Sequence, residues 1–171
     1  MEQPMPDFDP REQRRIMGMF ATGVSVVTTG QGAAGWAMTA NSLLSLSLSP
    51  PLILFAVDLR NAMRERLTES AAFAVSILRR DQEDLSQRFA TPGPKSLEGV
   101  ALRTAETGAP VFRDALAWVD CRLTDRLPGG DHEIFIGRIV AGDAASTGSG
   151  GGDPLLFFGG AYRGIAPETR D

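Results

Sequence analysis

Met38-Thr39-Ala40-Asn41-Ser42 runs directly into Leu43-Leu44-Ser45-Leu46-Ser47-Leu48-Ser49-Pro50-Pro51. From Leu44 onward Leu and Ser alternate with a period of two, which describes a β-strand with one apolar face and one hydroxyl-lined face. Leu44, Leu46 and Leu48 are expected on one side, toward a core, and Asn41, Leu43, Ser45 and Ser47 on the other. The polar face has two readings: hydroxyls that meet water on a half-exposed strand, or a track that meets a polar ligand. What surrounds the strand decides between them.

Downstream, Pro50-Pro51 ends the pairing, and residues 52–57 form the longest apolar run, expected as a strand buried on both sides. Asn61 is placed to cap a short helix reaching Glu69, with Met63 and Leu67 facing inward. Residues 72–78 read as another strand, and Asp81 as the cap of a helix in which Leu85 and Phe89 lie one turn apart. Thr91-Pro92-Gly93-Pro94 is a loop, and residues 95–117 show no period. Residues 118–127 alternate again, with Val119, Cys121 and Leu123 opposite Asp120, Arg122 and Thr124. Pro128-Gly129-Gly130-Asp131 is a turn and residues 132–140 the returning strand of a hairpin. Residues 148–152 are a glycine-rich linker: they lack the Lys and Ser/Thr that complete a phosphate loop.

Upstream, residues 23–29 are β-branched and strand-like, and Gly30-Gln31-Gly32 is a turn. Asp9-Pro10-Arg11-Glu12 carries the signals of a helix start, with Glu12 placed to reach back to the capping residue. A helix over residues 10–20 is expected, packing Ile16 and Phe20 against the domain. Many strands, few helices and no strict strand–helix alternation favour a mainly β fold with peripheral helices, a β-barrel rather than a doubly wound sheet.

The 171 residues, 43% hydrophobic and 22% charged, suit one domain over 1–171, with a core at about 11–165 and flexible tails at 1–8 and 166–171. A net charge of −4 argues against a nucleic-acid surface. Cys121 is the single cysteine, which leaves no intrachain disulfide and no Cys-rich zinc site, so no metal is expected. Without an apolar leader or a membrane-length apolar run, a cytoplasmic protein with no membrane association is expected.

Three further places nominate ligand contacts. Asp58-Leu59-Arg60-Asn61 ends a strand and opens a helix, where free amides and the positive end of the dipole favour a phosphate and Arg60 adds charge; the competing reading is an ordinary cap beside a solvated arginine. His132, the only histidine, follows a glycine turn, where a side chain can look into a cleft. Phe157, Phe158 and Tyr162 read as core and interface residues. Tyr162 is the best ligand candidate among them, because its hydroxyl needs a partner.

In order along the chain, six blocks resemble the short-chain flavin reductases, the reductase components of two-component flavin-dependent monooxygenases. They are Phe20-Ala21-Thr22-Gly23-Val24, Met38-Thr39-Ala40-Asn41-Ser42, Ser45-Leu46-Ser47-Leu48-Ser49-Pro50-Pro51-Leu52, Phe73-Ala74-Val75-Ser76-Ile77-Leu78, Gly130-Asp131-His132-Glu133-Ile134-Phe135-Ile136-Gly137 and Pro154-Leu155-Leu156-Phe157-Phe158. The resemblance covers about residues 11–165. It implies a split β-barrel, usually a homodimer, that reduces FMN or FAD with NADH or NADPH and supplies reduced flavin to an oxygenase partner.

On this resemblance the flavin ring lies against Met38, Thr39, Ala40, Asn41 and Ser42. Ser45 and Ser47 continue a polar track toward the ribityl chain, and Asp58, Arg60 and Asn61 meet the phosphate. Phe89 and Tyr162 complete the cofactor-binding set, and His132 positions the nicotinamide with no covalent role. Ser76 stands where family members often carry Asn. Hydride passes directly from nicotinamide C4 to flavin N5, so no protein nucleophile is required. The alternative is a flavin-binding electron carrier of the same barrel that does not turn over nicotinamide, and a third is a silent dimerisation domain whose Asn41 and Ser47 face is merely solvated.

Overall fold

The computed structural model describes residues 8–91, 93, 96–145 and 152–165. The elements in order are α1 (Pro10–Met17), β1 (Thr22–Gly23), β2 (Ser25–Thr29), β3 (Trp36–Ala40), β4 (Leu44–Leu48), β5 (Pro51–Asp58), α2 (Met63–Ser70), β6 (Ala72–Ile77), α3 (Glu83–Ala90), β7 (Leu102–Thr104), β8 (Pro110–Phe112), β9 (Ala117–Gly129), β10 (His132–Ala144), β11 (Leu156–Phe158) and β12 (Ala161–Arg163). Seven strands form one antiparallel sheet in the order β3-β2-β6-β9-β10-β5-β4. Its two edges, β3 and β4, are joined by only Asn41, Leu43 and the Ser42 between them. Three residues cannot span an open seven-stranded sheet, whose neighbouring strands lie about 4.8 Å apart, so the sheet curls until its edges meet at that end. Ser42 secures the junction: its hydroxyl accepts from Ala56 N at 3.0 Å and donates to Ala56 O at 3.4 Å. No ladder joins β3 to β4, which is the split of the barrel.

Inside the curl, Val27, Met38, Phe55, Val57, Phe73, Val75, Cys121 and Phe135 share one cluster with Met63 and Leu67 of α2. Phe55 stacks on Phe135 and meets Phe73 edge-on, and each such buried ring contributes about 1.5–3 kcal/mol relative to exposure. The outer face carries a second cluster, Val24, Val26, Leu78, Phe89, Leu97, Phe112 and Leu155, beneath α3 and β11. Strand β2 lies between the two, every residue buried. Its hydroxyls are therefore committed to backbone carbonyls, Ser25 to Ala40 at 2.8 Å and Thr29 to Ala72 at 2.7 Å, as buried polar groups must be.

Several expectations need correction. On β4 the burial is reversed: Leu43 packs against the inner cluster, while Leu44, Leu46 and Leu48 are exposed, Leu48 to 89%. The strand is an edge, and a bulge at Leu46 interrupts its register with β5. Strand β5 is buried on alternate residues only. Helix α1 has the Asp9 cap, Oδ1 accepting from Arg11 N at 2.8 Å, but ends at Met17 and buries nothing; Ile16 and Phe20 are exposed. Glu12 pairs with Arg15 instead of reaching back to the cap. Asp81 does not cap α3 but binds Arg79 within a preceding 3-10 turn. Asp120, expected on the polar face, is fully buried and accepts from the amide of Thr107 at 2.8 Å and from its hydroxyl, anchoring the loop before β8. The patternless stretch holds the hairpin β7–β8. Tail residues 1–7 and 166–171, and linker residues 148–151, lie outside the described residues. No helix among the described residues is long and apolar enough to cross a membrane.

Candidate functional site

Where β3 passes beneath the ends of α2 and α3, the chain leaves a cleft of about 640 Å3, within the range of small-molecule sites. Strand β3 contributes Trp36, Met38 and Thr39, the end of β5 contributes Asp58, the following turn Arg60 and Asn61, and the last turn of α3 Phe89 and Ala90. Thr39 fixes β3 to α3 by donating from its hydroxyl to Ser86 O at 2.7 Å. Thr39 and Ala90 also line a smaller adjoining recess of about 210 Å3, with Asn41, Ser86, Phe157 and Tyr162. Here the Tyr162 hydroxyl meets the Ser86 hydroxyl at 2.8 Å.

The turn before α2 satisfies most of its own groups. Asn61 Oδ1 accepts from Met63 N at 2.9 Å, the expected cap, and Asn61 N donates to Asp58 O at 2.9 Å. Asp58 Oδ1 accepts from Arg60 N at 2.8 Å and Nε at 3.0 Å, and Oδ2 accepts from Nη2 at 2.7 Å. The Arg60 guanidinium holds Asp58 far below the usual carboxylate range, and the carboxylate in turn raises Arg60. The amides and the cation expected to await a phosphate are thus engaged with protein oxygens.

The structure brings Met38, Thr39, Asp58, Arg60, Asn61 and Phe89 to the main cleft and Asn41 and Tyr162 to the recess. It does not bring the others. Ala40 is buried, its carbonyl taken by Ser25, and Ser42 is spent on Ala56. Ser45 and Ser47 lie on the edge strand, paired with Ile53 and Leu52. His132 stands opposite Asp58 on β10, its Nδ1 2.7 Å from Asp131, outside the cleft lining. Ser76 is fully buried and accepts from Phe112 N at 3.0 Å.

Trp36 and Ser86 went unnoticed in the sequence. Trp36 shares with Met38 one face of β3, a period-two relation that was available as a signal. The guanidinium of Arg66 lies 4.8 Å from its ring centroid, holding the indole at the cleft edge. Ser86 has no local signal, because its partner Tyr162 is 76 residues away.

A cleft lined by aromatic and thioether side chains on one part and by hydroxyl, amide and guanidinium groups on another suits a ligand with a flat ring and a polar, anionic tail. Residues 17–166 match the family model described as flavin reductase like domain. The chain belongs to this family. The flavin reductase component of a bacterial two-component tryptophan halogenase superposes with a TM-score of 0.84 at 40% identity, covering 94% of this chain and 100% of that one. An NADH:FAD oxidoreductase of Streptomyces globisporus, solved with NAD and FAD fragments, gives a TM-score of 0.84 at 37% identity over 97% of this chain and 100% of its own. The reductase subunit of a flavin-dependent monooxygenase from Mycobacterium tuberculosis is 34% identical over 160 residues, 94% of this chain and 84% of that protein. The mainly β fold described above is therefore that of a flavin reductase.

Proposed function

We propose that this flavin reductase oxidises NADH or NADPH and reduces FMN or FAD, and that the reduced flavin serves a separate oxygenase component. The observation that carries the reading is the cleft itself, lined by Trp36, Met38 and Phe89 on one part and by the polar turn at Asp58, Arg60 and Asn61 on another, which suits the ring and the polar tail of a flavin. When bound there, flavin and reduced nicotinamide supply the hydride chemistry between them. The protein's contribution is to hold and align. Trp36, Met38 and Phe89 offer an apolar, water-excluding wall, and Thr39 and Asn41 present polar groups along β3. Arg60 and Asn61 meet the phosphate end. His132, at the neighbouring strand end, orients the nicotinamide from the cleft rim.

The chain is proposed to act as a homodimer in the cytoplasm. Leu44, Leu46 and Leu48 form an exposed apolar edge, and such an edge invites pairing unless something covers it. A second copy covers it here.

Steady-state nicotinamide oxidation, followed by the loss of reduced-nicotinamide absorbance with FMN, FAD or riboflavin added, tests the activity. Turnover is expected only when flavin is present. Flavin binding without turnover with either nucleotide would reject the reductase reading and favour the electron carrier.

A further inference from the structure

We propose that Asp58, paired with Arg60, is a built-in competitor for the flavin phosphate and so keeps the flavin exchangeable. The inference rests on the reading of the cleft as a flavin site. Arg60 is the sole cation lining the cleft among the described residues. It does not stand free: Asp58 takes its backbone amide, its Nε and its Nη2 together, in the two-pronged geometry that a phosphate would use. A phosphate and the carboxylate compete for the same donors.

The surroundings set the balance of this competition. Asp131, whose carboxylate pairs with His132, adds a weaker attraction on Arg60 from farther off, so a phosphate arriving there meets repulsion from carboxylates as well as attraction. Yet the clasp is shallow. The Arg60 side chain is 89% exposed, and ion pairs that open to water contribute little, so an incoming ligand can displace the carboxylate. Asp58 also anchors the turn through its backbone, its carbonyl accepting from Asn61 N, so the competing side chain is held beside Arg60 whether or not the clasp is closed. A reductase that must release its product gains from an anion site that refills itself as the ligand leaves.

The test is flavin-fluorescence titration of the full chain with FMN and with riboflavin, in the parent, Asp58→Asn, Arg60→Gln and the double variant. Asparagine keeps an oxygen for the Arg60 amide and removes the charge; Asp58→Ser is a second variant with the same property. Either single change at 58 is expected to tighten FMN about threefold to fivefold, the scale of an exposed ion pair, while riboflavin is unchanged. The gain should vanish when Arg60→Gln is added. An unchanged or weakened FMN affinity in both position-58 variants, or an equal change for riboflavin, overturns the competitor role. Flavin-dependent nicotinamide oxidation by the parent separates the two levels: if turnover is normal and only the phosphate dependence is missing, the clasp fails while the reductase reading stands.

Discussion

Gly137 on β10 lies flat against the ring of Phe73 on β6, so that a Cβ added at 137 would stand 2.2 Å from Phe73 Cζ and 3.1 Å from Cys121 Cβ. The ring cannot step aside, because it is fully buried and meets Phe55 edge-on at 5.0 Å between centroids. Gly137→Ala should therefore overpack the inner core and destabilise the chain by about 1–3 kcal/mol. Urea unfolding checks this. A change below about 0.5 kcal/mol would mean that the sheet relaxes where the β9–β10 register shifts between Ile136 and Gly137.

Ser86 and Tyr162 tie α3 to β12 through a single hydroxyl pair. Tyr162→Phe keeps the ring packed against Phe157 and removes that bond, for an expected loss of about 0.5–1.5 kcal/mol in unfolding free energy. Since the hydroxyl already has a partner, flavin affinity should stay within about twofold. A much larger loss of flavin binding would show that the hydroxyl turns from Ser86 to the ligand.

The Cys121 thiol is buried in the inner core beside Asp120, and burial first, with the adjacent carboxylate second, pushes it up to about 12. The folded chain therefore keeps its proton when the unfolded chain has lost it. With fewer protons bound in the unfolded state, stability falls as pH rises above the ordinary thiol value of about 8.5 and goes on falling toward the folded value. Cys121→Ser should remove this part of the alkaline loss. A thiol reagent at mildly alkaline pH should label the unfolded chain and leave the native one untouched, and rapid native labelling would contradict the burial.

What could be read from the sequence followed local rules, and what could not depended on distant partners. Asn61 with Met63 and Leu67 gave a cap and an inward stripe within one short helix, and the glycine turn at 130 gave the hairpin, because each signal lies within a few residues of its effect. The Leu/Ser alternation correctly indicated a strand, but periodicity says only that two faces differ. Which face is inside depends on the strand's place in the sheet, and β4 is an edge. For the same reason the Ile16 and Phe20 stripe could not announce that none of the described residues buries it. Within the site, the turn at Asp58 to Asn61 was legible as a polar strand-to-helix junction. Its closure on itself was not, because that depends on side-chain geometry rather than residue type.

The exposed leucines of β4 are the most direct handle on assembly. Leu44→Glu with Leu48→Glu places two charges on a face that is solvent-exposed in the single chain, so the fold should be retained. Sedimentation velocity should show a dimer for the parent and a monomer for the variant. A parent that sediments as a monomer at micromolar concentration, or a variant that remains dimeric, would remove β4 from the interface.

His132 is proposed to position the nicotinamide from beside the cleft, whose lining does not include it. It stands across the ladder from Asp58, which does line the cleft, and its ring is held by Asp131 at 2.7 Å. A side chain at the rim can position the nicotinamide, whereas the proposed flavin contacts lie on β3 and the turn before α2, so the two ligands should respond differently to its loss. Bound flavin and nicotinamide would supply the hydride chemistry between them, with the protein only aligning the rings, so His132→Ala should raise the nicotinamide KM or slow turnover about threefold to tenfold, the scale of one lost hydrogen bond. Flavin Kd should stay within about twofold of the parent. His132→Gln, which keeps a donor and an acceptor, should recover most of the KM. If the alanine variant reduces flavin at the parental rate under both limiting and saturating nicotinamide, His132 is a strand-end residue that closes the hairpin and nothing more. If flavin affinity falls in step with KM, its effect runs through Asp58 and the turn.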